Sequence, residues 1–522
     1  MSLFLGLDCS TQSLSATLID FDLKQIVYEA SLNFDQYFPH YHTKNGSLKM
    51  DNPLVVHSPP LMWVESLDRI FQKMKEDHIE ISNILAIGGT AQQHGSVYLK
   101  QQAARALINL NPSVSLKDSL QGIFSRPTAP IWMDSSTSTE CEEIKQALKQ
   151  SIIEITGSDI FERFTGPQIR KFHKEEEKAY HETHCIALIS SFMASLLAGK
   201  IAPIDYADGS GMSLMDIRKK KWDSSLLQAT APDLEKKLPT LAPSCKVIGE
   251  ISSYFVNKYS ANPHTKVLVW SGDNPSSSIG LGMVKEGKAA ISLGTSDTFF
   301  TSLKKFHIDP RGEGHLFLSP TGDYMPLICY KNGSLAREKL RAMYHLTWDE
   351  LNESLQKAPI GNNGSIMLPY FEPEIVPRVK KNKVHRFHLN PSDIPANCRA
   401  LIEAQMLSMK VHSKWINLEC NEIYATGGAS KNAIILQIMA DVFQCPVFRT
   451  SSEQNAALGA SLCAVYGRFL FLGKKISWEE TIAGLTDPVA ESVVKPTLGS
   501  KEIYNELIKS YESFEQKILR EN

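Results

Sequence analysis

The chain has 522 residues, too long for one ordinary core, and this length predicts at least two domains. Hydrophobic residues make up 43%, charged residues 21% and the formal net charge is −2, so the composition is that of a globular protein without the basic footprint of a nucleic-acid or membrane-surface protein. No apolar run approaches the roughly 20 residues of a membrane span, and nine scattered cysteines without a C-x-x-C pair predict a reduced, cytoplasmic protein.

The first predicted element is an apolar strand over residues 3–8, which ends on Asp8. A small polar turn containing Thr11 and Gln12 follows, and residues 14–20 return as a strand, so this segment predicts a β-hairpin. A carboxylate beside hydroxyl and amide donors suits a phosphate and its Mg²⁺, with Asp8 holding the metal. From these residues alone, an ordinary Asx-turn explains Asp8 equally well.

A helix with apolar residues at helical spacing is predicted to begin at Ser58-Pro59-Pro60. The next strand, residues 84–87, is predicted to break at Gly88-Gly89, and His94 follows in a polar tip. Imidazole offers both a donor and an acceptor, which suits a neutral, hydroxyl-rich ligand. A structural histidine is the alternative interpretation.

Another strand, residues 267–270, ends shortly before Asp273 and Asn274. A carboxylate at this place can accept a proton from a substrate hydroxyl, although a helix cap explains Asp273 as well. Residues 282–289 nearly match a P-loop, but Ala289 stands where the metal-binding hydroxyl belongs and a strand follows, so we predict a simple loop. Two histidine pairs lack a third metal ligand and are interpreted as surface residues: His40, His42, His181 and His184.

The order of strand, polar turn and returning strand found in the first hairpin recurs over residues 289–301. A strand ends at the turn Gly294-Thr295-Ser296-Asp297, and a second strand returns, which indicates an internal duplication with one copy opening each half of the chain. Glycines cluster between residues 280 and 287 just before this copy. They predict a boundary between an N-terminal domain, residues 1–281, and a C-terminal domain, residues 282–522.

The second half continues with a strand over residues 422–425 that ends at Gly427-Gly428. Paired glycines let a nucleotide approach the backbone closely. A helix of small residues, 456–466, and a terminal amphipathic helix from about residue 501 complete the chain. The whole is an α/β pattern with polar or glycine-rich residues just past strand ends, where open α/β sheets bind ligands.

In this order the motifs resemble those of the FGGY carbohydrate kinases, which belong to the wider actin-like ATPase group. The motifs are the Asp8 turn, Gln93-His94-Gly95, Gly272-Asp273-Asn274, Leu293-Gly294-Thr295-Ser296 and Thr426-Gly427-Gly428-Ala429-Ser430 with Asn432. The resemblance runs from Gly6 to Gly467 and implies an α/β fold of two actin-like (ribonuclease H-like) ATPase domains with a cleft between them. Longer runs, such as residues 203–212, resemble the animal-type branch that phosphorylates D-xylulose to D-xylulose 5-phosphate with ATP.

The resemblance also implies a role for each matching residue. Asp273 is the general base, and the sugar is held by His94, Arg163, Asp273 and Asn274. The Mg²⁺-phosphate end of ATP faces Asp8, Thr11 and Gln12, with Gly294, Thr295 and Ser296. The adenosine is held by Trp348, Gly427, Gly428, Lys431 and Asn432. The implied cofactors are ATP and Mg²⁺, the implied partner is a small sugar rather than nucleic acid or membrane, and the implied state is a monomer or homodimer.

Two departures from the family pattern stand out. Gln93 replaces a Met that many bacterial members carry before the sugar-binding His, and the pattern G-E-R-x-P has no clear counterpart near residues 377–381. Both agree with the animal-type branch. The alternatives are a kinase of another ketose or polyol, such as ribulose or glycerol, and a non-catalytic sugar sensor or actin-like assembly module.

Overall fold

The structure is a computed structural model that describes residues 2–450, 454–489 and 492–521. The strands are β1 Leu3–Cys9, β2 Ser13–Asp20, β3 Gln25–Asn33, β4 His57–Ser58, β5 Ile84–Ala91, β6 Ser96–Lys100, β7 Ala129–Pro130, β8 Thr183–Leu188, β9 Ile204–Asp205, β10 Met215–Asp216, β11 Lys221–Trp222, β12 Leu241–Ala242, β13 Val247–Glu250, β14 Lys266–Leu268, β15 Ser271–Gly272, β16 Lys288–Leu293, β17 Asp297–Thr301, β18 His315–Leu318, β19 Tyr324–Tyr330, β20 Ile366–Tyr370, β21 Lys383–Phe387, β22 Glu422–Thr426 and β23 Val447–Arg449.

The helices are α1 Phe34–Tyr37, α2 Pro60–Glu76, α3 Ala103–Ile108, α4 Leu116–Leu120, α5 Ser138–Ala147, α6 Ile152–Thr156, α7 Thr165–Glu175, α8 Glu177–Glu182, α9 Ile189–Ala198, α10 Tyr206–Gly209, α11 Ser224–Thr230, α12 Leu234–Lys237, α13 Ser253–Tyr259, α14 Asp273–Gly280, α15 Ser334–Met343, α16 Trp348–Lys357, α17 Ile394–His412, α18 Ala433–Phe443, α19 Asn455–Phe471, α20 Trp478–Ile482 and α21 Ser500–Glu521. Short 3₁₀ turns cover Pro39–Tyr41, Ile81–Asn83, Ser210–Met212, Ile360–Gly364, Lys414–Ile416 and Gly428–Lys431.

The chain packs into two compact units. The first comprises residues 1–284, 317–324 and 454–486, and the second comprises residues 285–316, 325–453 and 487–522. A division into compact packing units does not test where a domain ends, so the predicted domain boundary between residues 281 and 282 stays a prediction. No helix in the described part of the chain has the length and apolar character that crossing a bilayer requires.

The first unit is built on a sheet with the order β13–β14–β5–β1–β2–β3. β1, β2 and β3 form an antiparallel meander, while β5 runs parallel to β1 and β14 runs parallel to β5. The apolar residues of β1 are fully buried because both faces of this central strand are covered, which explains its near-continuous apolar sequence. One large core cluster joins this sheet to α2 and α9.

The second unit repeats this arrangement around β16. β17 is antiparallel to β16, β22 is parallel to it, and the full order is β18–β19–β17–β16–β22–β23. A central strand with an antiparallel hairpin partner on one side and a parallel strand on the other is therefore common to both sheets. The predicted hairpin at residues 289–301 is confirmed as β16 and β17.

Helix α19 lies directly on the first sheet because glycines remove the side chains between them. A Cβ built on Gly6 of β1 would lie 1.9 Å from the Ala457 carbonyl oxygen, and one on Gly88 of β5 would lie 2.1 Å from that of Ala460. α14 and α19 also cross closely, since a Cβ on Gly459 would lie 1.9 Å from the Ser276 carbonyl oxygen. These contacts hold the helix that follows Asp273 against the sheet that carries Asp8.

One local prediction was wrong. β5 does not break at Gly88-Gly89 but continues through both glycines to Ala91, since Gly88 makes room for α19 and Gly89 for the Trp270 ring. The helix predicted to begin at Ser58-Pro59-Pro60 is confirmed as α2, with Pro59 at its N-cap, while the Ser58 hydroxyl donates to the Gly46 carbonyl. Helix α19 was predicted over residues 456–466 and extends to Phe471, and the predicted terminal helix is α21.

Candidate active site

The carboxyl ends of three parallel strands in the first unit meet at one level. Asp8 of β1 and Ser271 of β15 both lie opposite Thr90 of β5, so the segments that follow β1 and β15 leave the sheet on either side of the end of β5. The Gln92 backbone N–H donates to the Cys9 carbonyl at 3.0 Å, which continues the pairing of β5 with β1 by one residue. The register brings Asp8, Gln92 and Asp273 to one edge of the sheet, as expected for a ligand site in an α/β fold.

Asp273 is the first residue of α14 and is half-buried. Its Oδ1 accepts hydrogen bonds from the Asn274 backbone N–H at 2.8 Å and from Asn274 Nδ2 at 3.2 Å. Burial raises the pKa of Asp273 to about 6, against the opposing effect of these bonds. A carboxylate with a pKa near 6 is ionised at neutral pH and still basic enough to take a proton from a hydroxyl as the bond to phosphorus forms. The N-cap of α14 is Gly272, so the alternative of a capping side chain does not describe Asp273.

Asp8 lies near the end of β1, and one of its carboxylate oxygens is buried without a hydrogen-bond partner among the described residues. Burial and repulsion from Asp273 raise the pKa of Asp8 well above its usual value. Loss of hydration and the nearby carboxylate of Asp273 both disfavour the ionised form of Asp8, whereas a bound divalent cation would favour the ionised form. The donor set at Asp8 therefore fits Mg²⁺ with its preference for carboxylate oxygen.

The polar turn after β1 carries the other two predicted phosphate-facing residues. The Thr11 hydroxyl donates to Gln92 Oε1 at 3.4 Å and accepts from Trp132 Nε1 at 2.9 Å. Trp132 is 45% exposed, and this large ring beside Thr11 was not predicted as a site residue. The Gln12 side chain is exposed, and the Gln12 carbonyl accepts the Phe34 N–H at 2.8 Å.

His94 is buried and has a defined tautomer. Its Nδ1 lies 2.8 Å from the Gly211 carbonyl oxygen, which can only accept, so Nδ1 carries the proton. Burial and the positive charge of Arg163 lower the pKa of His94 to about 3, and the ring is neutral at physiological pH with Nε2 as an acceptor. Its φ of 71° is unusual for a residue with a side chain and is typical of functional sites. The Arg163 guanidinium lies 5.1 Å from the Phe161 ring.

Buried polar atoms without hydrogen-bond partners gather at the ends of these strands. Besides others elsewhere in the described chain, they include Asp8 Oδ1, Thr90 Oγ1, Gln92 Nε2, Gln93 Nε2 and Asp208 Oδ1. Native proteins pair nearly all such atoms, and exceptions mark places where a ligand or water completes the structure. Five such atoms at the strand ends near Asp273 make this edge a candidate binding site.

Two further carboxylates, Asp205 and Asp208, support the strand that precedes Asp273. Asp205 accepts from the Ser271 hydroxyl at 2.5 Å and the Ser244 hydroxyl at 2.6 Å, and Asp208 accepts from the Ser190 hydroxyl at 2.5 Å. Burial raises the pKa of Asp205 to about 6 and that of Asp208 well above its usual value. Sequence analysis assigned neither a role, although both lie in the run 203–212 that carried part of the resemblance.

In the second unit, the predicted phosphate turn Gly294-Thr295-Ser296 connects β16 to β17. Thr295 and Ser296 are exposed, and the Gly294 carbonyl accepts the Ser334 N–H at 2.9 Å. The acid of this turn, Asp297, does not face solvent. It forms a buried ion pair with Arg337, with Nη1 to Oδ2 at 3.0 Å.

The remaining predicted residues of the second unit lie at the N-termini of two neighbouring helices. Asn432 caps α18 by accepting from the Ile434 N–H at 3.0 Å, and its Nδ2 donates to Asn352 of α16 at 2.6 Å. Trp348 begins α16 and is 47% exposed, one turn before Asn352. Gly428 stands in open space, so a ligand can approach its backbone, and Lys431 beside it is exposed.

Gly427 has a φ of 83°, and a Cβ there would lie 2.6 Å from the Leu293 carbonyl oxygen. Only glycine fits this position without strain. The turn after β22 is thereby packed against the end of β16, next to the Gly294 turn. The second unit thus brings Gly294 and Gly427 together, and Trp348 and Asn432 lie on the adjoining helices.

The predictions of a simple loop at residues 282–289 and of surface histidines agree with the structure. The P-loop-like segment leads into β16, a strand, where a P-loop requires a helix. The four histidines of the two pairs are exposed, and no group of three metal-ligating side chains occurs in the described ranges.

Comparisons with known proteins identify the family and agree with the fold. The N-terminal domain of the FGGY family of carbohydrate kinases matches residues 127–280, and the C-terminal domain of the same family matches residues 289–468. The chain belongs to the FGGY family of carbohydrate kinases. It is 40% identical to the xylulose kinase of Rattus norvegicus over 99% of this chain and 97% of that protein. It is also 42% identical to xylulose kinase 2 of Arabidopsis thaliana over 89% and 87% of the two chains.

Solved structures show the same fold. The ligand-bound xylulose kinase of Lactobacillus acidophilus superimposes with a TM-score of 0.83 at 20% identity, covering 99% of each chain. The Plasmodium falciparum glycerol kinase with ADP superimposes with a TM-score of 0.81 at 17% identity, covering 99% of this chain and 98% of that one. The predicted two-domain α/β fold of the actin-like type is confirmed.

Proposed function

We propose that this protein transfers the terminal phosphoryl group of ATP to D-xylulose and releases D-xylulose 5-phosphate and ADP. The observation that carries the proposal is the group of unpaired buried polar atoms around Asp273, in a chain whose full-length relatives at 40% identity are named xylulose kinases. We further propose that the protein acts in the cytosol as a monomer or homodimer.

The sugar is held by the first unit. The neutral His94 ring accepts a hydrogen bond from a sugar hydroxyl at Nε2, and Arg163 donates to a sugar oxygen. Both hydrogens of Asn274 Nδ2 are used by Asp273 and Gln93, so Asn274 offers its Oδ1 as an acceptor to a sugar hydroxyl. Asp273 accepts the proton of the terminal hydroxyl, and its pKa of about 6 keeps it ionised for this step at neutral pH. Phosphoryl transfer needs little covalent help, so positioning and charge stabilisation supply most of the rate.

The nucleotide is held by the second unit. Gly427 and Gly428 have no side chains, so the nucleotide can approach their backbone closely, while Trp348, Lys431 and Asn432 surround the adenosine. The exposed backbone and hydroxyls of Gly294, Thr295 and Ser296 donate to phosphate oxygens. In the first unit, Thr11 and Gln12 face the phosphates, and Asp8 would hold Mg²⁺, which would neutralise phosphate charge.

A coupled ADP-release assay over D-xylulose, D-ribulose and glycerol tests this function. We expect the highest kcat/KM with D-xylulose and no activity without a divalent cation. A higher kcat/KM with D-ribulose or glycerol would show that the protein is a kinase whose preferred substrate is not D-xylulose. Tight D-xylulose binding by calorimetry without ADP release would instead indicate a sugar sensor, and filaments that form with rising protein concentration would indicate an assembly module.

A further inference from the structure

Two adjacent glutamines at the end of β5 have side chains in opposite environments. Gln92 Oε1 accepts from the Thr11 hydroxyl at 3.4 Å, whereas Gln93 Oε1 accepts from Asn274 Nδ2 at 3.0 Å. Gln92 therefore contacts the turn after β1, whereas Gln93 lies on the side of Asp273 and His94.

A chain of hydrogen bonds fixes the orientation of the Gln93 amide. The ionised carboxylate of Asp273 can only accept, so the Asn274 side chain must turn its Nδ2 toward Asp273 Oδ1, at 3.2 Å. The same Nδ2 then donates to Gln93, which must present its oxygen. Gln93 Nε2 therefore points away from Asn274, as a donor.

That donor is buried and unused. Gln93 is 3% exposed, and its Nε2 has no hydrogen-bond partner in the described chain. Two glycines set its position: a Cβ on Gly272 would lie 2.6 Å from Gln93 Cγ, and one on Gly211 would lie 3.6 Å from Gln93 Nε2 and 2.8 Å from His94 Cε1. The unpaired N–H₂ group thus lies beside the His94 ring, within the sugar side of the site.

We propose that Gln93 is a specificity-determining residue, whose Nε2 donates a hydrogen bond to an acceptor oxygen of the sugar. The proposal rests on the proposed sugar kinase function and extends it. His94 Nε2 selects a hydroxyl that donates, and Gln93 selects an oxygen that accepts, so the two neighbours distinguish sugars by the placement of their oxygens. A site built to bond a particular polar atom rejects analogues that lack it, because its own buried group is then left unpaired.

The test uses Gln93→Met, which keeps the length of the side chain and removes the donor, with Gln92→Met as matched control. Gln92 is also buried and its Nε2 is also without a partner in the described chain, but its Oε1 accepts from Thr11, so the control removes an equivalent donor on the side of the proposed phosphate contacts. For Gln93→Met we expect the Kd for D-xylulose, measured by calorimetry, and the KM for D-xylulose to rise by about tenfold or more, with kcat within about threefold and the KM for ATP unchanged. For Gln92→Met we expect the sugar Kd to stay within about twofold of the parent.

Sugar analogues that lack one hydroxyl identify the bonded oxygen. The parent should bind the analogue without that oxygen more weakly than it binds D-xylulose. The Gln93→Met variant should bind this analogue and D-xylulose with about the same affinity. If Gln93→Met folds with the parent's melting temperature and keeps a sugar Kd within about twofold, Gln93 is a packing residue and the inference is wrong. An inactive parent enzyme would instead overturn the proposed function, so the two failures are distinguishable.

Discussion

Replacing Asp273 by Asn separates the catalytic role of this carboxylate from its effect on stability. Asn keeps the size of the side chain and an oxygen that can accept from the Asn274 N–H. In the parent this N–H donates to Asp273 Oδ1 at 2.8 Å. The substitution removes the base and the negative charge. General-base catalysis contributes about 10²–10⁴-fold, so we expect kcat with D-xylulose to fall by at least about a hundredfold.

The same substitution should stabilise the fold at neutral pH. A native pKa of about 6, against an ordinary value of 3.8, corresponds to about 3 kcal/mol at about 1.4 kcal/mol per pKa unit. Because the native pKa is raised, the native state binds the proton more tightly, and the parent loses this free energy as pH rises from about 4 to about 6. The side chain is half-buried, so solvent screening reduces the figure, and we expect Asp273→Asn to gain about 1–3 kcal/mol at pH 7.5 and little at pH 4.

Urea unfolding of the parent and the variant at pH 4, 5, 6 and 7.5 measures this gain. Asp233→Asn is the matched control, since Asp233 is an exposed aspartate of the same unit that pairs with Lys236 on the surface. The control should keep its activity and show no comparable rise in relative stability with pH. A gain for Asp273→Asn that is equal at all four pH values, or a loss at pH 7.5, would refute the assignment of a raised pKa. A kcat within about tenfold of the parent would refute the assignment of the base.

The sequence predicted those parts of the fold and site that depend on local pattern. Both hairpins, the strand before Gly427 and the position of Asp273 after a strand follow from apolar runs that end in polar turns. The glycines of β5 were misread because their reason lies far away in sequence, in the approach of α19 to Gly88. The supporting role of Asp208 was missed for the same reason, since its partner Ser190 and its neighbour Gly272 are brought to it only by the folded chain.

Three further predictions concern single residues. His94→Ala should raise the KM for D-xylulose and leave the KM for ATP unchanged in the ADP-release assay, because we propose that its accepting Nε2 binds a sugar hydroxyl; an effect on ATP alone would contradict this placement. Asp8→Asn should raise the Mg²⁺ concentration that gives half-maximal activity by about tenfold or more, measured by metal titration, and an unchanged titration would remove Asp8 from the metal site. Asp297→Ala should destabilise the protein by about 3–5 kcal/mol in urea unfolding, because it leaves the buried Arg337 without its counter-ion, whereas a loss below about 1 kcal/mol would show that Arg337 is solvated.

The duplicated hairpins differ in charge at equivalent positions. In the first hairpin the last paired residues are Cys9 and Leu14, which places Asp8 one step before the end of β1. In the second the last pair is Leu293 and Asp297, which places Ser292 at the equivalent step. The second hairpin therefore has no carboxylate where the first has Asp8.

The one acid of the second turn is neutralised by its ion pair with Arg337. A free carboxylate beside bound phosphates would repel them, whereas uncharged N–H and hydroxyl groups can donate to their oxygens. The pairing of Asp297 with Arg337 therefore agrees with the phosphate-binding role that we propose for Gly294, Thr295 and Ser296.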